Sequence, residues 1–256
     1  MMGAIVGDII GSVYEWDSLK SKKFALFQPQ SRFTDDTVLS VAVADTLLTH
    51  GDYAQKLRCW SRHYADAGFG NRFKAWFASD DADAYQSFGN GSAMRVAPVA
   101  WAFDDLEAVL NEAQRSAEVT HNHPEGVKGA QAVAGAVYLA RKGGTQSTIR
   151  RFISERFGYD LDRSLDVIRP DYAFDVTCQG SVPEAIIAFL ESTDFEDCIR
   201  NAISLGGDSD TQAAIAGAIG EAFYGGIPEP VLQQALTCLD KKMISVIERF
   251  VQKYCQ

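Results

Sequence analysis

The run GGDSDTQAAIAGAIG, residues 206–220, sets two glycines and two acids directly against a tract of small apolar residues. Gly206 and Gly207 allow a backbone turn that other residues resist, and Ser209 and Thr211 are natural helix-capping types. Residues 213–220 then read as a helix that is stable only when neighbours pack closely around it, which makes the chain an expected assembly of helix on helix. Asp208 and Asp210 fall where loop becomes buried helix. Unpaired N–H groups and the dipole at a helix start favour ionised carboxylates, which are also what a hard cation needs. A cap serves the same residues equally well, so one such stretch decides nothing about chemistry.

A second stretch repeats the pattern. Residues 33–48, FTDDTVLSVAVADTLL, offer Thr34 as an N-cap, Asp35 and Asp36 in the first turn, and Val38, Leu39, Ala42, Val43, Thr46 and Leu47 at helical spacing. Doubled acids with hydroxyls at the mouths of two apolar helices point to convergence on a pair of ions.

Composition bounds the alternatives. A chain of 256 residues that is 46% hydrophobic can bury roughly 70–75% of its unfolded surface, so a disordered protein is not expected. With 24 basic against 34 acidic residues the net charge is −10, and the basic residues cluster only at Lys20, Lys22 and Lys23. Nucleic acid is therefore not an expected partner, since phosphate backbones require clustered positive charge. Five scattered cysteines without a CxxC pair fit reduced thiols and a cytoplasmic location. The apolar start MMGAIVGDIIGSVYEW lacks a basic region and is interrupted by Asp8, so neither a signal peptide nor a membrane span is expected.

Taken in order, residues 2–14 place Ile5, Ile9 and Val13 four apart beside a stripe of Gly3, Gly7 and Gly11, predicting a central, closely packed helix. Asp8 and Glu15, seven apart, would share one face of it, each either a ligand or an ordinary hydrogen-bonding group. Residues 17–33 read as loop, 52–67 as an amphipathic helix and 68–88 as irregular. Residues 88–98, FGNGSAMRVAP, form a Gly-rich loop ahead of an apolar helix, an arrangement that lets backbone N–H groups approach a phosphate. Helices are predicted over 104–119, 126–141, 145–157, 182–190 and 195–205, and one long amphipathic helix from Pro228 and Pro230 to about residue 254. His121 reads as functional and His123 as a cap; their spacing fits no HExxH site. Residues 158–180 are irregular and suit a ligand-covering loop. No strand or repeat is evident.

FTDDT, GNGSAMR, THNHP and GGDSDTQAAIAGAIGEAFYG, with GDIIGSVYE near the start, resemble the successive motifs of the ADP-ribosylglycohydrolase family. They occur in the family's order from residue 3 to residue 225. The resemblance implies an all-α, compact helical bundle spanning residues 1–256 as one domain and holding two Mg²⁺ or Mn²⁺ ions. It implies metal ligation by Thr34, Asp35, Asp36, Asp208, Asp210 and Thr211, with Glu15 near the ions. It also implies that Gly89, Asn90, Gly91, Ser92, Ala93 and Met94, together with His121, bind the phosphates and ribose of ADP-ribose. The implied reaction is hydrolysis of the N- or O-glycosidic bond that joins ADP-ribose to a modified side chain. Proton transfer falls to Asp36 or Glu15. An ADP-ribosylated protein or a small ADP-ribosyl compound is the expected partner, arginine the favoured leaving group and a monomer the expected state. The alternatives are an ADP-ribose-binding module or a hydrolase of small ADP-ribose derivatives.

Overall fold

Glycine at every fourth position lets two buried helices meet backbone to backbone at the centre of this protein. In the computed structural model, which describes residues 1–255, α1 (Met2–Gly11) is buried at every residue. It is followed by α2 (Asp35–Thr49), α3 (Tyr53–His63), α4 (Asn71–Ala78), and the short α5 (Gly91–Met94) and α6 (Ala97–Ala102). Then come α7 (Leu106–Glu118), α8 (Pro124–Arg141), α9 (Gln146–Phe157), the single turn α10 (Leu165–Ile168), α11 (Cys178–Leu190) and α12 (Phe195–Ile203). The series closes with α13 (Ser209–Tyr224), α14 (Glu229–Leu236) and α15 (Lys241–Tyr254). The fold is all-α; among the described residues the only β pairing is one antiparallel bridge between Gly89 and Thr177.

Helix α13 packs against α1, α12, α11 and α8, while α7 covers α8, and α3 and α15 cover α2. Helix α1 and the first three turns of α13 are buried on every side and, apart from Asp8 and the polar first turn of α13, apolar, so they require this enclosure. Their axes approach so closely that a Cβ on Gly3 or Gly7 would collide with the carbonyls of Gly217 or Ala213, and one on Gly11 would lie 2.5 Å from Asp210 Cα. The buried apolar residues form one continuous cluster that runs from Met1 to Phe250. No described helix is long and apolar enough to cross a membrane.

Several elements differ from expectation for identifiable reasons. Helix α1 ends at Gly11, where Ser12 turns its hydroxyl back to the Ile9 carbonyl, so Glu15 lies beyond the helix and not on a shared face with Asp8. Helix α4 occupies a segment expected to be irregular. Its signal is Phe73, Trp76 and Phe77, an i, i+3, i+4 set that is buried, but Gly70 supplies no side-chain cap to mark its start. Helix α11 begins at Cys178, capped by the Thr177 hydroxyl, and carries Pro183 inside rather than near its first turn. The single C-terminal helix is two, because Asp240 accepts the N–H groups of Lys242 and Met243 (both 2.9 Å) and starts α15 afresh.

The backbone contact between α1 and α13 predicts the outcome of filling it. Gly7→Ala should destabilise the protein by about 1–3 kcal/mol in chemical denaturation, the usual cost of overpacking, whereas Gly143→Ala, at a solvent-facing turn, should cost less. Equal losses at the two sites would contradict this packing.

Candidate functional site

Asp8 from the middle of α1, Asp36 from the first turn of α2 and Asp210 from the first turn of α13 point carboxylate oxygens at one spot, all within 4.8 Å of one another. Glu15, Asp208 and Asp210 form a second group with the same spacing. Asp210 belongs to both.

The α2 mouth is built as expected, with an addition. Thr34 Oγ1 accepts from the Asp36 N–H at 3.3 Å. The Thr34 N–H (2.9 Å) and hydroxyl (2.7 Å), and the Thr37 N–H (3.1 Å) and hydroxyl (2.5 Å), all donate to Asp8. Asp8 thus satisfies the start of α2 from a neighbouring helix, leaving Asp35 and Asp36 free of that duty. At the α13 mouth the N-cap residue, Asp208, makes no side-chain cap. Ser209, expected as a cap, donates instead to the Tyr14 carbonyl (3.3 Å). Thr211 donates to Asp36 Oδ2 (3.2 Å), because both hydroxyls are buried and turned toward the preceding loop and the acid cluster. Asp210 Oδ1 accepts from the Thr211 N–H at 2.9 Å.

Enclosing so many acids makes ionising them all unfavourable. Burial, followed by the Asp210 charge, holds Asp35 and Asp36 well above the usual carboxylate range. Burial and then the Asp208 charge do the same to Asp210. Asp208 is raised by burial to about 6 although hydrogen bonds from Asp210 and Asn90 pull it down, and Glu15 is raised by burial and Asp210 to about 7. Asp36 Oδ1 is buried without a hydrogen-bond partner. An all-oxygen donor set of mutually repelling carboxylates with an unsatisfied buried oxygen fits a hard divalent cation such as Mg²⁺ or Mn²⁺. Asp35 lines the same cleft but stands outside both three-carboxylate groups, and the hydroxyls of Thr34 and Thr211 contact the groups as donors to Asp8 and Asp36.

The acids floor one end of a cleft of about 440 Å³. Gly89, Asn90, Gly91, Met94 and His121 form its wall. Ser92 and Ala93 do not face it: the Ser92 hydroxyl donates to the Gly126 carbonyl at 2.7 Å, and Ala93 is core. With only four residues, α5 offers no extended helix dipole behind this loop, contrary to what the Gly-rich motif suggested. Asn90 instead ties the wall together. Its N–H donates to the Val176 carbonyl (2.8 Å) and its Nδ2 to Asp208 Oδ2 (2.7 Å). The His121 ring lies against the loop, where a Cβ on Gly91 would come 3.1 Å from Nε2. Burial, then Arg95 and Arg72, drive its pKa well below the ordinary value, so the imidazole is neutral. His123 caps α8 by accepting the Glu125 N–H at 3.1 Å.

Residues 158–180 do reach the cleft, through Phe174 and Val176. Phe174 stacks on Trp16 with ring centroids 5.0 Å apart, and both rings are solvent-exposed at the rim. Trp16, Tyr85 and Arg95 line the cleft without having stood out in the sequence. For Arg95 the available signal was its place directly after Met94 in GNGSAMR.

A family model described as ADP-ribosylglycohydrolase matches residues 1–256. The chain is 28% identical to "ADP-ribosylhydrolase ARH3" of Homo sapiens, covering 88% of this chain and 84% of the relative. It is 29% identical to "ADP-ribosylarginine hydrolase Tri1" of Pseudomonas putida (strain GB-1), covering 88% and 69%. A solved chain of an "ADP-ribosylglycohydrolase-related protein complex" shares the fold, with a TM-score of 0.72 at 23% identity over 98% of this chain and 96% of that one.

The raised carboxyls predict the pH response of chelator-treated protein. Unfolded carboxylates titrate near 4, so between there and about 7 the folded state binds more protons than the unfolded one, and stability falls as pH rises. The Tm should drop from pH 5 to pH 8 in calorimetry, and saturating Mn²⁺ should flatten the curve. A Tm that rises over that interval without metal would contradict the raised pKa values.

Proposed function

The chain belongs to the ADP-ribosylglycohydrolase family, and from that premise we propose that it is a divalent-cation-dependent hydrolase. It cleaves the glycosidic bond between ADP-ribose and a modified side chain, with arginine the favoured leaving group. The observation that carries this is the sharing of Asp210 between two three-carboxylate groups at the floor of a cleft sized for a nucleotide. Asp8, Asp36 and Asp210 would hold one Mg²⁺ or Mn²⁺, and Glu15, Asp208 and Asp210 a second. Thr34, Thr211 and Asp35 complete or support the surrounding shell. When bound, such ions neutralise the acids and lend Lewis acidity toward sugar oxygens.

The chain's own groups supply the rest. The cleft-facing loop at Gly89, Asn90 and Gly91 and the neutral His121 bind the diphosphate side of the ligand, which places the distal ribose over the acids. The remaining carboxylate charge favours an oxocarbenium-like transition state at the anomeric carbon. Glu15, partly exposed at the edge of its carboxylate group, is placed to accept a proton from the attacking water, and Asp36 is the alternative acceptor. The acidic mouth formed by Glu15 and Asp35 supports a cationic leaving group, as does the likeness to a relative named for ADP-ribosylarginine. One polypeptide domain, 1–256, acting as a monomer on an ADP-ribosylated protein, suffices for this chemistry.

Release of ADP-ribose from ADP-ribosyl-arginine and ADP-ribosyl-serine peptides, with Mg²⁺, Mn²⁺ or chelator, tests it. Metal-dependent release is expected, faster from arginine. Inactivity on arginine with strong release from serine would reverse the leaving-group assignment, and tight ADP-ribose binding without release would leave a binding module. Asp210→Asn should lower activity by about 10²–10⁴-fold while raising the Tm of chelator-treated protein, because it removes a repelling buried charge. A fall in Tm with retained activity would show Asp210 to be merely structural.

A further inference from the structure

Arg95 is a cation with neither solvent nor counter-ion. Its side chain is fully buried within the cleft wall that it helps to line, and burial lowers its pKa only to about 10, so it is charged at neutral pH. The titratable groups acting on it are Tyr85, Cys178 and Tyr53, none of them a carboxylate. Nη2 donates to the Ser116 carbonyl (2.9 Å) and to Thr120 Oγ1 (3.0 Å), whereas Nε and Nη1 have no hydrogen-bond partner. Keeping a buried charge unpaired is costly, and an anion arriving in the adjacent cleft would offset that cost.

The same contacts fix a proton. Thr120 Oγ1 accepts from Arg95, and among the described residues the one acceptor for its own hydrogen is His121 Nδ1, 2.7 Å away, which assigns the threonine as donor to that nitrogen. Nδ1 is then an acceptor, and in a neutral imidazole the ring proton must sit on Nε2, the nitrogen that faces Gly91. We propose that Arg95 is a positioning residue. Acting through Thr120, it holds His121 as an Nε2–H donor to a phosphate oxygen of the ADP-ribosyl group, and its own charge serves as the buried counter-charge of that diphosphate. The identity of the ligand rests on the function proposed above, but the tautomer does not. Nη2 alone serves both Ser116 and Thr120, so a lysine would keep one cationic donor but lose the planar group whose Nε and Nη1 stay unpaired.

Nitrogen-15 NMR of the histidine rings, with calorimetric titration of ADP-ribose, tests the relay in wild type, Thr120→Ser, Thr120→Val and Arg95→Lys. Wild type and Thr120→Ser should show His121 protonated at Nε2 alone. Thr120→Val should lose the single tautomer and bind ADP-ribose about tenfold or more weakly, the effect of losing a hydrogen bond to a charged group. In turnover this should appear as a raised KM with kcat nearly unchanged, since the contact is remote from the bond broken. Arg95→Lys should weaken binding with the same KM signature. Wild type that binds ADP-ribose with Nδ1 protonated, or Thr120→Val with unchanged tautomer and affinity, would overturn the relay alone. Wild type with Nε2–H that fails to bind ADP-ribose would overturn the ligand assignment, and the phosphate role with it.

Discussion

Helices α1 and α13 touch through their backbones, and that contact fixes where Asp8 and Asp210 stand. Gly3, Gly7 and Gly11 leave no room for a Cβ against Ala213, Gly217 and Asp210, so neither helix can slide or turn without collision. A rigid seam is what lets like charges remain close together. Carboxylates on flexible loops would drift apart, whereas these are carried on helices enclosed by α2, α8, α11 and α12. The enclosing core contributes the stability that the acid cluster takes away.

The cleft has two electrostatic halves. At one end Asp8, Asp36, Asp208 and Asp210 concentrate acid behind the partly exposed Glu15 and Asp35. At the other, His121 is neutral, and Arg95 and Arg72 bring positive charge up to Tyr85 and the Gly-rich loop. Asn90 joins the halves, donating to Asp208 while its backbone holds Val176. A ligand with a diphosphate at one end and a sugar rich in hydroxyls at the other matches that division, and the short bridge from Gly89 to Thr177 brings Phe174 and Val176 over it.

Local signals made much of this legible. Thr34 with two following acids, and paired glycines ahead of Asp208, mark helix mouths whatever surrounds them, and the glycine stripe of α1 announced close packing before any partner was known. Gly206 and Gly207 do adopt positive φ, as the turn required. What escaped was set by tertiary contact. Asp8 and Glu15 were seen as neighbours on a helix face, yet they meet through Asp210 after the chain leaves α1 at Gly11. Ser209 and Thr211 looked like caps because sequence does not reveal which way a buried hydroxyl turns. Arg95 looked like one more polar residue in a motif, and nothing local shows that its guanidinium is buried within the cleft wall. Helix α4 hid in an aromatic segment whose periodicity is only two turns long.

Asp210 belongs to two three-carboxylate groups, and anomalous scattering from Mn²⁺-soaked crystals tests directly the proposal that each group holds a cation. Two peaks are predicted, one contacted by Asp8, Asp36 and Asp210 and the other by Glu15, Asp208 and Asp210. A single peak, or none between these helix mouths, would contradict it.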